Sequence, residues 1–389
     1  MMAQDVFDVI VIGGGPAGLS ECLRLQATDL NIAVVSDVFG GCMGMMGALP
    51  LQSYCNELEI SGAPIPLRKF LNRLAISPTG EEYSNYIRSN FETLPLTRFE
   101  ERVMTLSKSG EFFELVLGDA SAGKTLRASQ VILATGIRPR AAPLEAEMAT
   151  WRSCFDVYTQ VSNGQIDTFS GKDVFIFGSG NSAFQIALLL APVARNITVL
   201  VKSYLGLYPQ ETNDRFALRS LSQRTLEMIA KCGSESAQGP INGVATTHRA
   251  HVWLHAYSDV QACADSLLLT LPHRLNSHAL LEGSCNEALR RGRLGFLNDG
   301  SGYRLMIDCS ARQSCLVSAT GVTAQLPDTE WPQLIDSDSG FAAHCNGQTP
   351  IEGLHVAGAV SGYASVNTML PASPTTLRND SVQERVSWA

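Results

Sequence analysis

The chain has 389 residues, 45% of them hydrophobic, and a formal net charge of −8 with a sequence pI near 5.4. That length suits two domains, each with its own core. The acidic balance offers no basic face to nucleic acid or anionic lipid, and no apolar run of about 18 residues suggests a membrane span. Small molecules are the expected partners, the expected setting is cytoplasmic, and association into a homo-oligomer is left open. The 10 cysteines contain no C-x-x-C, so they read as scattered reduced thiols, with neither a disulfide framework nor a metal site expected.

The first predicted element is the apolar, β-branched run Val6 to Ile12, which passes into Gly13-Gly14-Gly15-Pro16-Ala17-Gly18 and then a helix over Leu19 to Ala27. Because the run leads straight into a glycine turn and has no basic stretch before it, it reads as a core strand and not a signal peptide. A strand ending in G-x-G-x-x-G and opening a helix turns backbone N–H groups and a helix N-terminus toward a pyrophosphate. Gly13, Gly15, Pro16, Ala17 and Gly18 are the expected contacts. A second strand, Asn31 to Val35, ends at Ser36-Asp37. A carboxylate there accepts from an adenosine ribose hydroxyl; Asp37 can do so if the helix-to-strand loop is one residue longer than usual, with Ser36 as the alternative.

Gly40-Gly41-Cys42-Met43 follows, then a helix-like stretch Glu81 to Thr93, an alternating strand Phe112 to Leu117 and an apolar strand Val131 to Ala134 that ends in Ala134-Thr135-Gly136. Cys42 reads first as a small buried hydrophobe; as half of a redox dithiol it would need a partner, and Cys55 is nearest in sequence. Pro139 to about Ser170 reads as a crossover. The run Asp173 to Phe177 then enters a second glycine turn, Gly178-Ser179-Gly180-Asn181-Ser182-Ala183, followed by a helix over Ser182 to Leu190 and a strand over Ile197 to Val201. No acid closes that strand. Lys202, with Arg195, suits the 2′-phosphate of NADPH; a solvated lysine after a strand is the plain alternative.

Residues 205–293 read as a helical insertion, in which His248, His251 and His255 would share a helix face near a pocket or interface. Arg304 to Ser318 leads to a second A-T-G at Ala319-Thr320-Gly321, and Gly353 to Ala359 is a last apolar strand reaching a glycine turn at Gly358-Ala359. The fold class expected from this order is α/β, two Rossmann-like dinucleotide-binding domains. An FAD domain, 1–150 plus 300–389, is interrupted by an NADPH domain, 151–299. Two glycine turns imply two dinucleotides, one resident and one visiting. The FAD set is Gly13, Gly15, Pro16, Ala17, Gly18, Ser36, Asp37, Gly41, Cys42, the first A-T-G, Gly358 and Ala359; the NADPH set is Gly178 to Ala183, Lys202, Thr320 and Gly321.

On these motifs the chain resembles the flavoproteins with two dinucleotide-binding domains. Thioredoxin reductases keep a dithiol shortly before the second turn, where this chain has Trp151-Arg152-Ser153-Cys154; glutathione reductase relatives keep two cysteines after the first βαβ unit, where it has Cys42. The turn GSGNSA, the crossover Ser153 to Tyr158, and Leu316 to Gly321 with Pro327 downstream are similar to flavin-containing and N-hydroxylating monooxygenases, although Val322 stands where a tyrosine is usual. Glu57 to Pro64, Pro78 to Tyr83 and the ending Gly353 to Gly362 are similar to bacillithiol disulfide reductase-like proteins, with Ala359 replacing the superfamily's aspartate. The first resemblance implies hydride transfer from NADPH to FAD and oxygenation of a nitrogen or sulfur centre by O₂ through a C4a-hydroperoxide. The second implies a reductase without a C-x-x-C, using Cys42 or no protein thiol. A flavin-binding protein without catalysis is the third alternative.

Overall fold

The computed structural model describes residues 6–51, 53, 55–75, 77–118, 123–140, 151–178, 181–190, 192–201, 244–247, 250–256, 294–298, 303–307, 314–337 and 339–362. It divides into two units, the first made of Met1–Arg138 and Val322–Ala389 and the second of Pro139–Gly321. The return to the first unit therefore falls at residue 322, and residues 300–321, placed with the FAD domain from sequence, belong to the second unit. The cause is a strand ending at Ser318 that hydrogen-bonds into the second sheet.

In the first unit the strands are β1 (Val6–Gly14), β2 (Ile32–Phe39), β3 (Thr97–Phe99), β4 (Val103–Ser109), β5 (Phe112–Leu117), β6 (Thr125–Leu133) and β7 (Ile137–Pro139). The second sequence segment contributes β16 (Val322–Ala324), β17 (Asp328–Thr329) and β18 (Leu354–Val356). The helices are α1 (Pro16–Leu25), α2 (Cys55–Leu58), α3 (Leu67–Leu71) and α4 (Gly80–Thr93). The main sheet has the order β17-β4-β5-β6-β1-β2-β3, with β18 also on β6. β6, β1, β2 and β3 run parallel, while β4 and β5 form an antiparallel meander with β6.

The parallel strands are apolar on both faces because both faces are covered. Val9, Val11, Val34 and Ile132 pack toward α1 and α4, and Ile10, Ile12, Val35 and Leu133 pack into a second core with Phe113 and Leu115. α1 starts with Pro16 in its first turn, where a missing N–H costs nothing, and buries Leu19, Cys22 and Leu25 at helical spacing. α4 starts with a capping box between Thr79 and Glu82 and lays Tyr83, Tyr86, Ile87 and Phe91 against the sheet.

The second unit repeats the plan. Its strands are β8 (Trp151–Ser153), β9 (Asp173–Phe177), β10 (Asn196–Val201), β11 (Val244–Thr247), β12 (Ala250–Ala256), β13 (Leu294–Asn298), β14 (Tyr303–Ile307) and β15 (Ser314–Ser318), with helices α5 (Cys154–Ser162) and α6 (Asn181–Leu190). The sheet order is β11-β12-β10-β9-β15-β8, parallel except where β11 runs against β12. Two expectations are corrected here. The stretch 151–162 is a strand and a helix of this unit, more than a crossover. The described parts of the expected helical insertion are strands, so His251 and His255 lie on β12 and His248 lies outside the described residues. Among the described residues no helix is long and apolar enough to cross a membrane, and no cluster of side chains could hold a metal ion.

One buried group in the first unit is electrostatically costly. His355 is 3% exposed, and neither of its ring nitrogens has a hydrogen-bond partner. Its strand neighbours Leu354 and Val356 face one core, so alternation turns His355 to the α1 side, near Arg24. Burial, aided by the Arg24 charge, lowers its pKa to about 4. The unfolded chain takes up this proton near pH 6.5, whereas the folded chain resists it until near pH 4, so stability is lost as pH falls through that window. The expected loss is about 3 kcal/mol. Urea midpoints measured from pH 7 to pH 4 should show this slope in the protein and lack it in His355→Leu.

Candidate functional site

β1 ends with Gly13 in a conformation open to glycine, φ 124°, and a Cβ there would overlap the Ala134 carbonyl oxygen. The strand end of β6 is tied to the same place by Ala134 N–H donating to the Ile12 carbonyl at 2.8 Å. Glycine at 13 therefore lets β6 and its A-T-G pass directly against the turn. α1 then opens at Gly15 with no side-chain cap and no acid in its first turn. Its leading N–H groups face the cleft uncapped, the arrangement that favours an anion.

Between these elements lies a cleft of about 300 Å³. Gly13, Gly15, Pro16 and Ala17 form one wall, and Ala134, Thr135 and Gly136 another. Ser36, Asp37, Gly41, Cys42 and Ala359 also line it. Gly18 does not. A Cβ there would overlap the Gly13 carbonyl oxygen, so this glycine serves close packing of α1 on β1, and the expected pyrophosphate contact is corrected. Gly358 is likewise buried in the 3-10 turn Gly358–Ser361 and leaves the lining to Ala359.

Ser36 and Asp37 lie at a bulge. Ile12 pairs with Val35, but Gly14 pairs with Phe39, so β2 carries extra residues that push outward at the cleft. Ser36 is buried and spends its hydroxyl on the turn, donating to the Val38 carbonyl at 2.9 Å and accepting from the Val38 N–H at 3.3 Å. Asp37 is exposed and presents a carboxylate to the cleft. Thr135 adds an unmet demand, since its Oγ1 is buried in the wall with no hydrogen-bond partner. A glycine cradle, an uncapped helix start, a carboxylate and a lone hydroxyl fit a dinucleotide such as FAD.

Cys42 opens a 3-10 turn, Cys42–Met46, that is held on α4. The N–H groups of Gly80 and Glu81 donate to the carbonyls of Leu49 and Gly47 at 3.0 and 2.8 Å. The expected buried thiol is corrected, because Cys42 is exposed and faces the cleft. The protein around that concave surface still pushes its pKa up, so the thiol stays protonated. Cys55 is buried and donates its S–H to the Ala75 carbonyl at 3.4 Å. Burial also pushes Cys154 up to about 11. The described cysteines are free thiols.

Glu101, Arg102 and Val103 from the start of β4, and Gln325 to Pro327 after β16, complete the cleft. Sequence reading missed Glu101, Arg102 and Gln325, which no motif marks. Gln325 is brought in by its own N–H, which donates to the Gly136 carbonyl at 3.0 Å.

The second unit reproduces the same contact. Gly178 has φ 141°, a Cβ on it would overlap the Ala319 carbonyl oxygen, and Ala319 N–H donates to the Phe177 carbonyl at 2.7 Å. Thr320 and Gly321 follow at this strand end, Thr320 pairing its hydroxyl with Ser318 at 3.1 Å. Ala183 is buried on α6. Asn181 starts α6; Ser179, Gly180 and Lys202 lie outside the described residues. Arg195 is corrected. It precedes β10, its N–H bound to the Lys172 carbonyl at 2.9 Å, so it sits at the opposite end of a strand about 20 Å long from Val201.

Replacing Gly13 with valine should abolish flavin retention by closing the cradle. Asp37→Ala should weaken it about tenfold with folding intact. Absorbance spectra and circular dichroism of the purified variants check both.

Residues 7–240 match the family model described as pyridine nucleotide-disulphide oxidoreductase. An NADH dehydrogenase of Ferdinandcohnia aciditolerans is 29% identical over 246 residues, covering 63% of this chain and 42% of that protein. The chain thus spans less than half the length of that relative. Bacillithiol disulfide reductase from Bacillus cereus matches with a TM-score of 0.58 and 16% identity over 93% of both chains. A flavin-containing monooxygenase from Stenotrophomonas maltophilia matches with a TM-score of 0.58 and 18% identity, over 95% of this chain and 96% of that one. At these identities the two structures share the fold.

Proposed function

Because the chain belongs to the pyridine nucleotide-disulphide oxidoreductase family, we propose that it is an FAD-dependent NADPH oxidoreductase acting as a monooxygenase on a small-molecule nitrogen or sulfur centre. The observation that carries this reading is the state of the thiols around the first-unit cleft. Cys42 faces it with a raised pKa, and the nearest cysteine in sequence, Cys55, is buried and bound to a backbone carbonyl. With no second cysteine among the described residues that line the cleft, electrons leave for an acceptor that comes to the site, and oxygen is the simplest.

FAD, when bound, supplies the chemistry of accepting a hydride and passing the electron pair to oxygen. This chain's residues bind and orient. The N–H groups at Gly15 and Ala17 meet the pyrophosphate, Asp37 accepts from the ribose, and Thr135 offers a hydroxyl at the wall. In the second unit the turn after Gly178 receives the nucleotide, and Lys202 selects its 2′-phosphate. In the overall balance, the hydride of NADPH and one proton reduce one oxygen atom of O₂ to water, while the other atom joins the substrate.

A second reading is favoured by one observation, the exposure of Cys42 on the cleft: an NAD(P)H-dependent reductase that turns over a disulfide of a small molecule through a single protein thiol.

Anaerobic NADPH should bleach the bound flavin, and admitting O₂ with an amine or thioether should yield one oxygenated product per NADPH consumed. Disulfide turnover that is lost in Cys42→Ala would establish the second reading instead. Lys202→Ala should raise the KM for NADPH about tenfold and leave that for NADH unchanged; equal effects on both would remove the 2′-phosphate assignment.

A further inference from the structure

The first turn of α6 is tied to α5 by a chain of hydroxyl groups. Tyr158, on α5, is 5% exposed. Its hydroxyl donates to Gln185 Oε1 at 2.8 Å and is paired with the Ser182 hydroxyl. Ser182 and Gln185 are three residues apart on α6 and so share a face. α5 itself is firmly anchored: Ser153 and Asp156 form a capping box, and Val157, beside Tyr158, is fully buried. Tyr158 therefore presents its oxygen from a rigid base.

Ser182 belongs to the glycine turn that begins at Gly178, where the pyridine nucleotide is proposed to bind. A hydroxyl has one proton and two lone pairs, and a phosphate oxygen accepts only. Ser182 can serve a phosphate if its proton turns toward the ligand and another donor satisfies its lone pair. A tyrosine hydroxyl can be that donor, and a glutamine amide can be donor as readily as acceptor. The chain Gln185–Tyr158–Ser182 can thus reverse its polarity as a unit without leaving any buried group unpaired.

We propose that Tyr158 is a positioning residue for the pyridine nucleotide, holding the Ser182 hydroxyl where its proton can be delivered to the pyrophosphate. This rests on the reading of the second glycine turn as a nucleotide site. It gives Tyr158 and Gln185 a role that the glycine motif does not contain. It also explains why a polar tip is buried at a position where a phenylalanine would fill the same space.

The test is a double-mutant cycle on the full chain with its flavin bound. Dissociation constants for NADP⁺ are measured by titration calorimetry for the protein, Tyr158→Phe, Ser182→Ala and the double variant. Tyr158→Phe should weaken NADP⁺ binding about five- to tenfold, the worth of one buried hydrogen bond, with flavin content and kcat at saturating NADPH unchanged. In the Ser182→Ala background it should have no further effect. An unchanged affinity in Tyr158→Phe, or an equal loss with and without the Ser182 hydroxyl, would overturn the proposal while leaving the nucleotide site in place. Failure of the unmodified protein to bind either NADP⁺ or NAD⁺ would overturn both.

Discussion

The contact on which both units depend is the passage of a strand end across a glycine. In each, the alanine of an A-T-G sequence puts its carbonyl where a Cβ would stand, on Gly13 in one case and Gly178 in the other. Its N–H is bound to the last carbonyl before the turn. A side chain at either glycine would force two parallel neighbours apart at their carboxyl ends, where ligands of open parallel sheets bind. The contact thus sets the strand spacing and opens the ligand cleft in one step.

From that constraint the first-unit site is assembled by parts that are distant in sequence. The uncapped start of α1 supplies N–H groups, the bulge in β2 turns Asp37 outward while Ser36 closes the turn, and α4 holds the segment that carries Cys42. Each of these costs something that a purely structural helix or strand would avoid. A cap is missing, a register slips, and a threonine hydroxyl is buried unpaired. Real proteins accept such local departures where a ligand makes up the difference.

Much of the fold could be read directly. The strand Phe112–Leu117, the helix Gly80–Thr93 and the two βαβ units carry period-2, period-3.6 and glycine signals that depend on near neighbours alone. The glycine walls and both A-T-G ends were legible for the same reason. Glu101, Arg102 and Gln325 were not, because they reach the cleft through pairing with strands far away in the chain. Gly18 carries the motif yet faces inward, since the missing Cβ at that position serves helix-on-strand packing. Arg195 has the right charge at the wrong end of β10, and charge alone does not say which end of a strand a residue occupies.

What the sequence by itself determined was the pair of dinucleotide-type turns, their order and the lack of a C-x-x-C. These are local matters, in which a glycine's missing Cβ or a cysteine's spacing is the whole signal. Only the tertiary structure decided that Asp37 is exposed at the cleft while Ser36 beside it turns its hydroxyl to the Val38 backbone, that Cys42 is exposed there, and that the chain returns to the first unit at 322. It also decided that Tyr158, which by pattern is one more core aromatic, joins its hydroxyl to Ser182 and Gln185. Each of those depends on a register, a bulge or a helix-to-helix approach, and such quantities exist only once residues distant in the chain are brought together.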